Sequence, residues 1–284
     1  MILITWNVQW CRGADGRVDP ARILRVCRDM ADFDVLCCQE VARDFPALAG
    51  SGGADLFAQL AGGLRGYTAI EGIAVDAAGE DGERAQFGVL ILTRRPVLQV
   101  FRHLLPWPAD LAVPSMQRVA LEAVIDGKRG PLRVTTTHLE YYSAVQRSAQ
   151  VERLRDLQAE AAGHAADSTR DDKVGGPFAA YGRPACSVLC GDLNFPPDDA
   201  MHARLQAPIA KGVPAYRDAW RLRYPNRPHV PTIGLYDKEQ WPGEPYCSDF
   251  VFVTEDLADR VADIVVNVDT NASDHQPILL KLAE

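Results

Sequence analysis

No apolar run in this sequence reaches the ~18 residues that a helical membrane span needs, so a soluble protein is the expectation. The opening Met1-Ile-Leu-Ile-Thr-Trp-Asn7 lacks the basic n-region and long apolar h-region of a signal peptide and has the composition of a strand. Positive charge is also scarce: 30 Lys and Arg stand against 38 Asp and Glu, a formal net charge of -8. An acidic chain has no overall field to hold a polyanion, so long duplex DNA is not the favoured partner. The seven cysteines are an odd number for a disulfide framework. Cys37, Cys38, Cys186 and Cys190 sit in apolar runs as small hydrophobes, and no cysteine has zinc-site spacing with histidine. A reducing, cytoplasmic location is the expectation. No repeat of fixed period is present.

What is present is enough for a sizeable core: 284 residues, 47% of them hydrophobic, consistent with one α/β domain over residues 1–284. The segment Ser187-Val-Leu-Cys-Gly-Asp-Leu-Asn-Phe-Pro-Pro197 carries the strongest local signal. An apolar run stops at Gly191, and Pro196-Pro197 forbids continuation, so Asp192 and Asn194 stand at a strand end. Two residues apart in extended chain, they point to one side. A carboxylate that holds water beside an amide that donates to a phosphate oxygen suits phosphoryl chemistry. An Asx turn after a buried strand fits the same residues.

The rest of the chain supplies strand ends of the same kind. Ile2 to Val8 forms a strand that exposes Asn7. Asp19-Pro20 opens a helix with an apolar face from Ile23 to Met30. Asp34 to Glu40 forms a buried strand that, if parallel to the first, brings Glu40 to the same end as Asn7. A short helix near Ala54 to Leu60, a strand at Tyr67 to Ile73 and an exposed loop at Asp76 to Arg84 follow. Strands resume at Phe87 to Leu92 and Val97 to Arg102, and a Pro-rich connection carries Trp107, read as packed. Gln117 to Ile125 and Leu132 to His138 form an antiparallel pair. In the second, Thr136, His138 and Glu140 share one face, either a site or a solvated edge.

Ser143 caps a helix running to about Gly163, and Ala165 to Gly182 has the composition of a mobile loop. A short helix begins at Asp198-Asp199, another segment at Tyr216 to Trp220 has helical character, and Tyr224 to Tyr246 is a loop whose aromatics pack or wall a pocket. Asp249 to Val253, Val261 to Val268 and Pro277 to Leu282 close the chain as strands, with a Ser273-Asp274-His275 turn before the last.

Taken together, Trp6-Asn7, Gln39-Glu40, Thr137-His138-Leu139-Glu140, Gly191-Asp192-Leu193-Asn194, Ser248-Asp249 and Ser273-Asp274-His275 resemble, in order, the motifs of the endonuclease/exonuclease/phosphatase superfamily. That group includes deoxyribonuclease-type enzymes, abasic-site endonucleases, inositol-polyphosphate 5-phosphatases and sphingomyelinases. The resemblance runs from Trp6 to Pro277. It implies a four-layer α/β sandwich, two packed mixed β-sheets flanked by helices, with the site where strand ends of both sheets meet. It further implies Mg²⁺ or Mn²⁺ on Glu40, with Asn7 and Asp274 beside it, as oxygen ligands suit hard cations. Asp192 would orient and deprotonate a water, while Asn194 and His138 donate to the phosphate. His275, fixed by Asp249, would contact the phosphate or act as acid or base.

Two features bear on the substrate. Many relatives carry an Asn after the Gly of a strand that here reads Gly88-Val-Leu-Ile-Leu-Thr93, so a polar contact is either missing or supplied by Gln86. The arrangement Ser143, Arg147 and Gln150 offers Arg147 to Glu140 or to a phosphate. The expected activity is hydrolysis of a phosphodiester or phosphomonoester by in-line water attack, on a phosphorylated small molecule, a phospholipid headgroup or a nucleic-acid end. The alternatives are a nuclease acting on DNA or RNA ends and a non-catalytic binding module on the same fold. A module would have lost one of Glu40, Asp192, Asn194, Asp249 or His275, and none is lost. A zinc hydrolase lacks clustered His and Cys ligands.

Overall fold

A computed structural model describes residues 1–79, 82–167, 176 and 182–284. The near-continuous hydrophobicity of the strands follows from sheets covered on both faces. The first sheet is built from β1 (Ile2–Asn7), β2 (Val35–Arg43), β3 (Thr68–Ala78), β4 (Arg84–Thr93), β11 (Val261–Val266) and β12 (Ile278–Leu282), in the order β11-β12-β1-β2-β4-β3. The second takes β5 (Val97–Leu104), β6 (Val119–Gly127), β7 (Gly130–His138), β8 (Ser187–Asp192), β9 (Tyr216–Asp218) and β10 (Asp249–Thr254), in the order β5-β6-β7-β8-β10-β9. Both are mixed: β1 and β2 run parallel, as do β7 and β8, and the other pairings are antiparallel.

Period-two alternation sorts the strands into layers. Leu3, Val35, Cys37, Val89 and Ile91 of one sheet meet Leu121, Ala123, Val134, Val188, Cys190 and Val251 of the other in the central core. The residues between them, Ile4, Trp6, Leu36, Cys38, Leu90 and Leu92, turn outward under α1 (Pro20–Met30) and α2 (Leu56–Gly63). On the far side Leu189, Phe250 and Phe252 pack beneath Val151, Leu154 and Leu157 of α3 (Ala144–Ala166) and Leu205 of α4 (Ala200–Gln206). The helix starts match the capping pattern: Asp19 accepts from Arg22 N, Asp55 from Ala58 N, Ser143 from Gln146 N and Asp199 from Met201 N. Each such cap is worth ~1 kcal/mol. All seven cysteines are free thiols, six of them buried. No helix among the described residues is long and apolar enough to cross a membrane.

The structure corrects the sequence reading at several places. Tyr216 to Asp218 is not helical; it is an edge strand paired with Phe252 to Thr254, and the helix α5 occupies Ala219–Arg223. Main-chain pairing overrides local propensity there. Asp76 to Ala78 and Arg84 belong to the β3–β4 pair, not to a loop, and residues 80 and 81 lie outside the described residues. Ala165 and Ala166 complete α3, and most of the expected loop to Gly182 lies outside the described residues. Trp107 is half-exposed, its indole Nε1 donating to Ser115 Oγ, so it is not packed as expected.

Candidate active site

Each expected site residue owes its position to a local irregularity or a strand end. Glu40 lies where the β2–β4 register shifts between Gln39 and Val41, and its φ of 57° is left-handed. A bulge of this kind leaves Glu40 without a ladder partner and re-aims its side chain, at a strain cost of ~1–3 kcal/mol. Asn7 ends β1, and Ser273 Oγ donates to its carbonyl at 2.8 Å, tying the Ser-Asp-His turn to the first strand. His138, ending β7, lies in register with Asp192, ending β8, which in turn pairs with Asp249, beginning β10. Gly191 is required between them: its φ is 135°, and a Cβ there would stand 2.0 Å from the Thr137 carbonyl oxygen. Trp6 Nε1 donates to the His275 carbonyl at 2.9 Å and fixes the last member.

These side chains converge. Asn7 Nδ2 donates to Glu40 Oε1 at 2.9 Å and Asp192 Oδ2 at 3.0 Å, and lies 3.4 Å from His275 Nε2. His138 Nε2 is 3.5 Å from Asp192 Oδ2, and His138 Nδ1 is 3.9 Å from Glu40 Oε1. His275 Nδ1 bonds Asp249 Oδ2 at 2.8 Å while its Nε2 faces Asp192 Oδ2 at 3.7 Å. Thr232 Oγ1 and Ser248 Oγ also donate to Asp249 Oδ2, holding the carboxylate for the imidazole. The Asp192-Asn194 turn is an Asx turn, and both residues also line the cavity. Asn194 N donates to Asp192 Oδ1 at 3.0 Å as an Asx turn, and Asn194 lines the cavity with φ 55°. Its Nδ2 gives one proton to the Leu139 carbonyl, so the second remains for a ligand.

The electrostatics are those of a site short of positive charge. Burial, then the Asp274 carboxylate, pushes the Glu40 carboxyl up. Burial, then Asp249, pushes Asp192 up to about 7. Burial opposes charge on His275, yet the carboxylates of Asp249, Asp192 and Asp274 outweigh it and hold the imidazole well above its usual range. Burial, followed by Arg118 and His275, holds His138 well below it, as a neutral ring. Its Nδ1 is buried with no hydrogen-bond partner among the described residues. Glu40, Asp274 and Asp192 thus offer hard oxygen donors whose mutual repulsion a divalent cation would relieve, so the donor set fits Mg²⁺ or Mn²⁺. Asn7 departs from the expected ligand geometry: its Oδ1 accepts from Gln9 N at 3.1 Å and its Nδ2 faces the carboxylates, so here it orients Glu40 as a donor.

The site opens into a cavity of about 540 Å³. Its floor is the polar cluster, and Phe87, Met116, Tyr141, Tyr142 and Trp241 wall it. Tyr141 and Trp241 meet edge to face at 5.8 Å. Trp241 Nε1 also donates to Asp274 Oδ2 at 3.0 Å, so the loop after Tyr224 contributes a wall and not only packing. Sequence reasoning missed Arg118, which lines the cavity, pairs with buried Glu140 at 3.2 Å and has Nη1 unpartnered among the described residues. Its only local sign is a cation entering an apolar strand. Arg147 bonds the carbonyls of Glu140 and Tyr141 and so takes a structural role. Gln86, opposite Asp76 across the β3–β4 pair, does not line the cavity; Phe87 does. A buried cluster of His202, Asp218 and His229, also missed, lies behind the site.

Comparison with known proteins bears on the family and the fold. The family model described as endonuclease/exonuclease/phosphatase family matches residues 4–275. None of the curated proteins compared matches the chain. Among solved structures, an endonuclease/exonuclease/phosphatase from Beutenbergia cavernae DSM 12333 is similar over 100% of this chain and 72% of its own, with TM-score 0.67 and 23% identity. A mannosyl-6-phosphatase of Bacteroides thetaiotaomicron VPI-5482 is similar over 100% of both chains, with TM-score 0.65 and 15% identity. The human Nocturnin catalytic domain, solved with a bound sulfate anion, is similar over 100% of this chain and 93% of its own, with TM-score 0.58 and 17% identity. With its family model matched over nearly the whole length and its two mixed sheets stacked between helices, the chain belongs to the endonuclease/exonuclease/phosphatase family.

Proposed function

We propose that this protein is a divalent-metal-dependent phosphoesterase that hydrolyses a phosphodiester or phosphomonoester by in-line attack of water. The observation that carries the reading is the convergence of Glu40, Asp192 and His275 around the Asn7 amide at one cavity floor, with His138 beside Asp192. Glu40 and Asp274 would hold Mg²⁺ or Mn²⁺, with Asn7 beside them. The ion would supply charge neutralisation at the scissile phosphate and the leaving oxygen. Asp192 orients the attacking water and takes its proton. Asn194, through its free N–H, and neutral His138 donate to phosphate oxygens. His275, kept cationic by Asp249, donates to the phosphate or the leaving oxygen.

The cavity also favours a substrate class. Arg118 borders the cavity as a cation, while Tyr141 and Trp241 give flat faces suited to a ring or a base. At a net charge of -8, a small phosphorylated molecule or the end of a single strand fits better than extended duplex. Aromatic faces that stack bases favour a nucleic-acid end as the second reading. The test is a magnesium-dependent screen of purified protein against nucleotides, sugar phosphates, phospholipids and short single strands, with His275→Ala as the blank. Hydrolysis by wild type alone supports the reading. Equal release by the blank, or none across the panel, refutes it.

A further inference from the structure

Behind the Asp249–His275 pair, the buried carboxylate of Asp218 accepts from two imidazoles: His202 Nε2 lies 2.9 Å and His229 Nε2 2.7 Å from its Oδ2. The three residues have the composition of a metal site, but the hydrogen bonds decide against one. Asp218 N donates to Gln206 Oε1 at 3.0 Å, which turns the Gln206 amide nitrogen toward His202 Nδ1 at 3.2 Å. His202 Nδ1 is therefore an acceptor, Nε2 carries the proton, and no lone pair remains at Nε2 for a cation. Two N–H donors on one oxygen hold Asp218 down to about 2 against the opposing effect of burial.

Two polar atoms remain unexplained. His229 Nδ1 and Asp249 Oδ1 are both buried, and neither has a hydrogen-bond partner among the described residues. A buried polar atom left without a partner costs ~1–3 kcal/mol. Both residues border one small cavity, which has about 10 Å³ of room for the centre of a water-sized sphere and is otherwise lined largely by apolar side chains such as Trp220, Val251 and Ile278. That is the room one water requires, and such a water seeks two to four polar partners. Thr232, which donates to the other oxygen of Asp249, borders the same cavity.

We infer that one ordered water in this cavity bridges His229 Nδ1 to Asp249 Oδ1. His229 is then a positioning residue: braced by Asp218, it fixes the carboxylate that orients His275. Asp249 is held from both oxygens, Oδ2 by Thr232, Ser248 and His275, and Oδ1 through the water. The role of His229 in turnover rests on the catalytic reading above, whereas the bridge itself does not.

The test uses the full-length protein in two measurements. High-resolution diffraction is expected to show one density peak within hydrogen-bond distance of both atoms and no anomalous signal at His202, Asp218 and His229. A dry cavity, or a metal at those residues, overturns the inference. Kinetics with bis-(para-nitrophenyl) phosphate and magnesium then use a crossed pair. His229→Gln keeps a donor for Asp218 and removes the atom at the Nδ1 position; it is expected to lower kcat about tenfold, with KM and the unfolding midpoint little changed. His229→Asn keeps a polar atom there and gives up the Asp218 bond; it is expected to recover most of that rate while its unfolding midpoint drops. If both variants lose stability alone, or rate follows stability in both, the positioning role is wrong. A wild type that hydrolyses nothing removes the catalytic reading, while the density still decides the bridge.

Discussion

Glu122 and Asp192 are both carboxylates buried in the second sheet, and the protein treats them in opposite ways. Glu122, beneath α3, receives Arg133 Nη1 at 2.9 Å and Arg183 Nε at 2.8 Å. Burial alone would raise its carboxyl, yet the two guanidinium groups hold it below the ordinary range. Asp192 has no guanidinium among its hydrogen-bond and ion-pair partners in the described residues. It shares a pocket with Asp249 and Glu40, and burial with that repulsion outweighs the nearby His275 and pushes it up to about 7. The structural charge in this fold is matched by two guanidinium groups within the chain; the site sets one imidazolium, His275, against Asp192, Asp249, Asp274 and Glu40, and so keeps an excess of negative charge. A carboxylate raised by burial and like charge in a cavity has the character of a candidate functional group.

The contrast breaks most sharply at Asp192. Asp192→Asn keeps the shape and the Asx turn but removes the proton acceptor, and is expected to lower kcat for a generic phosphodiester by about 10²–10⁴-fold with the circular dichroism spectrum unchanged. Activity within a few-fold of wild type would remove Asp192 from water activation. Glu122→Ala is the mirror experiment. It strands two buried guanidinium groups and should cost ~3–5 kcal/mol in denaturant unfolding, with the rate per folded molecule retained.

Proton linkage gives the same contrast with opposite signs. The depressed Glu122 carboxyl stabilises the fold fully above the unfolded carboxyl range and loses that contribution as pH falls through its folded value. Asp192, raised, keeps a proton in the folded state that the unfolded chain has released, so from about pH 4 to 7 its contribution falls as pH rises.

Smaller effects sharpen the picture. Glu40→Gln is expected to raise the magnesium concentration for half-maximal activity at least about tenfold, read from a magnesium titration; an unchanged titration would remove Glu40 from the ion site. Trp241→Ala takes away one flat wall of the cavity and should raise KM several-fold more than it lowers kcat, with the larger effect on substrates that carry a ring.

Much of this was legible in the sequence because strand ends and breakers mark themselves. Gly191 and Pro196-Pro197 delimit the Asp192 turn, and Asp19-Pro20 and Ser143 start helices where capping chemistry says they should. The strand–helix–strand opening allowed the parallel β1–β2 pair that carries Asn7 and Glu40, and the structure has it. What stayed hidden depends on distant pairing. The strand at Tyr216 to Asp218 exists only because β10 lies beside it. Arg118 acquires a role only when Glu140, 22 residues away, is brought to it. Trp241 becomes a cavity wall through its bond to Asp274, and the His202–Asp218–His229 cluster joins residues that no local spacing connects.

The most direct measurement is the unfolding free energy of wild type and Asp192→Asn, side by side at pH 8 in buffer free of divalent ions. If the site holds an excess of negative charge for an incoming cation, the variant is more stable than wild type, and added magnesium stabilises wild type more than the variant. An Asp192→Asn protein that is less stable without metal, or that gains as much from magnesium as wild type does, would contradict the account.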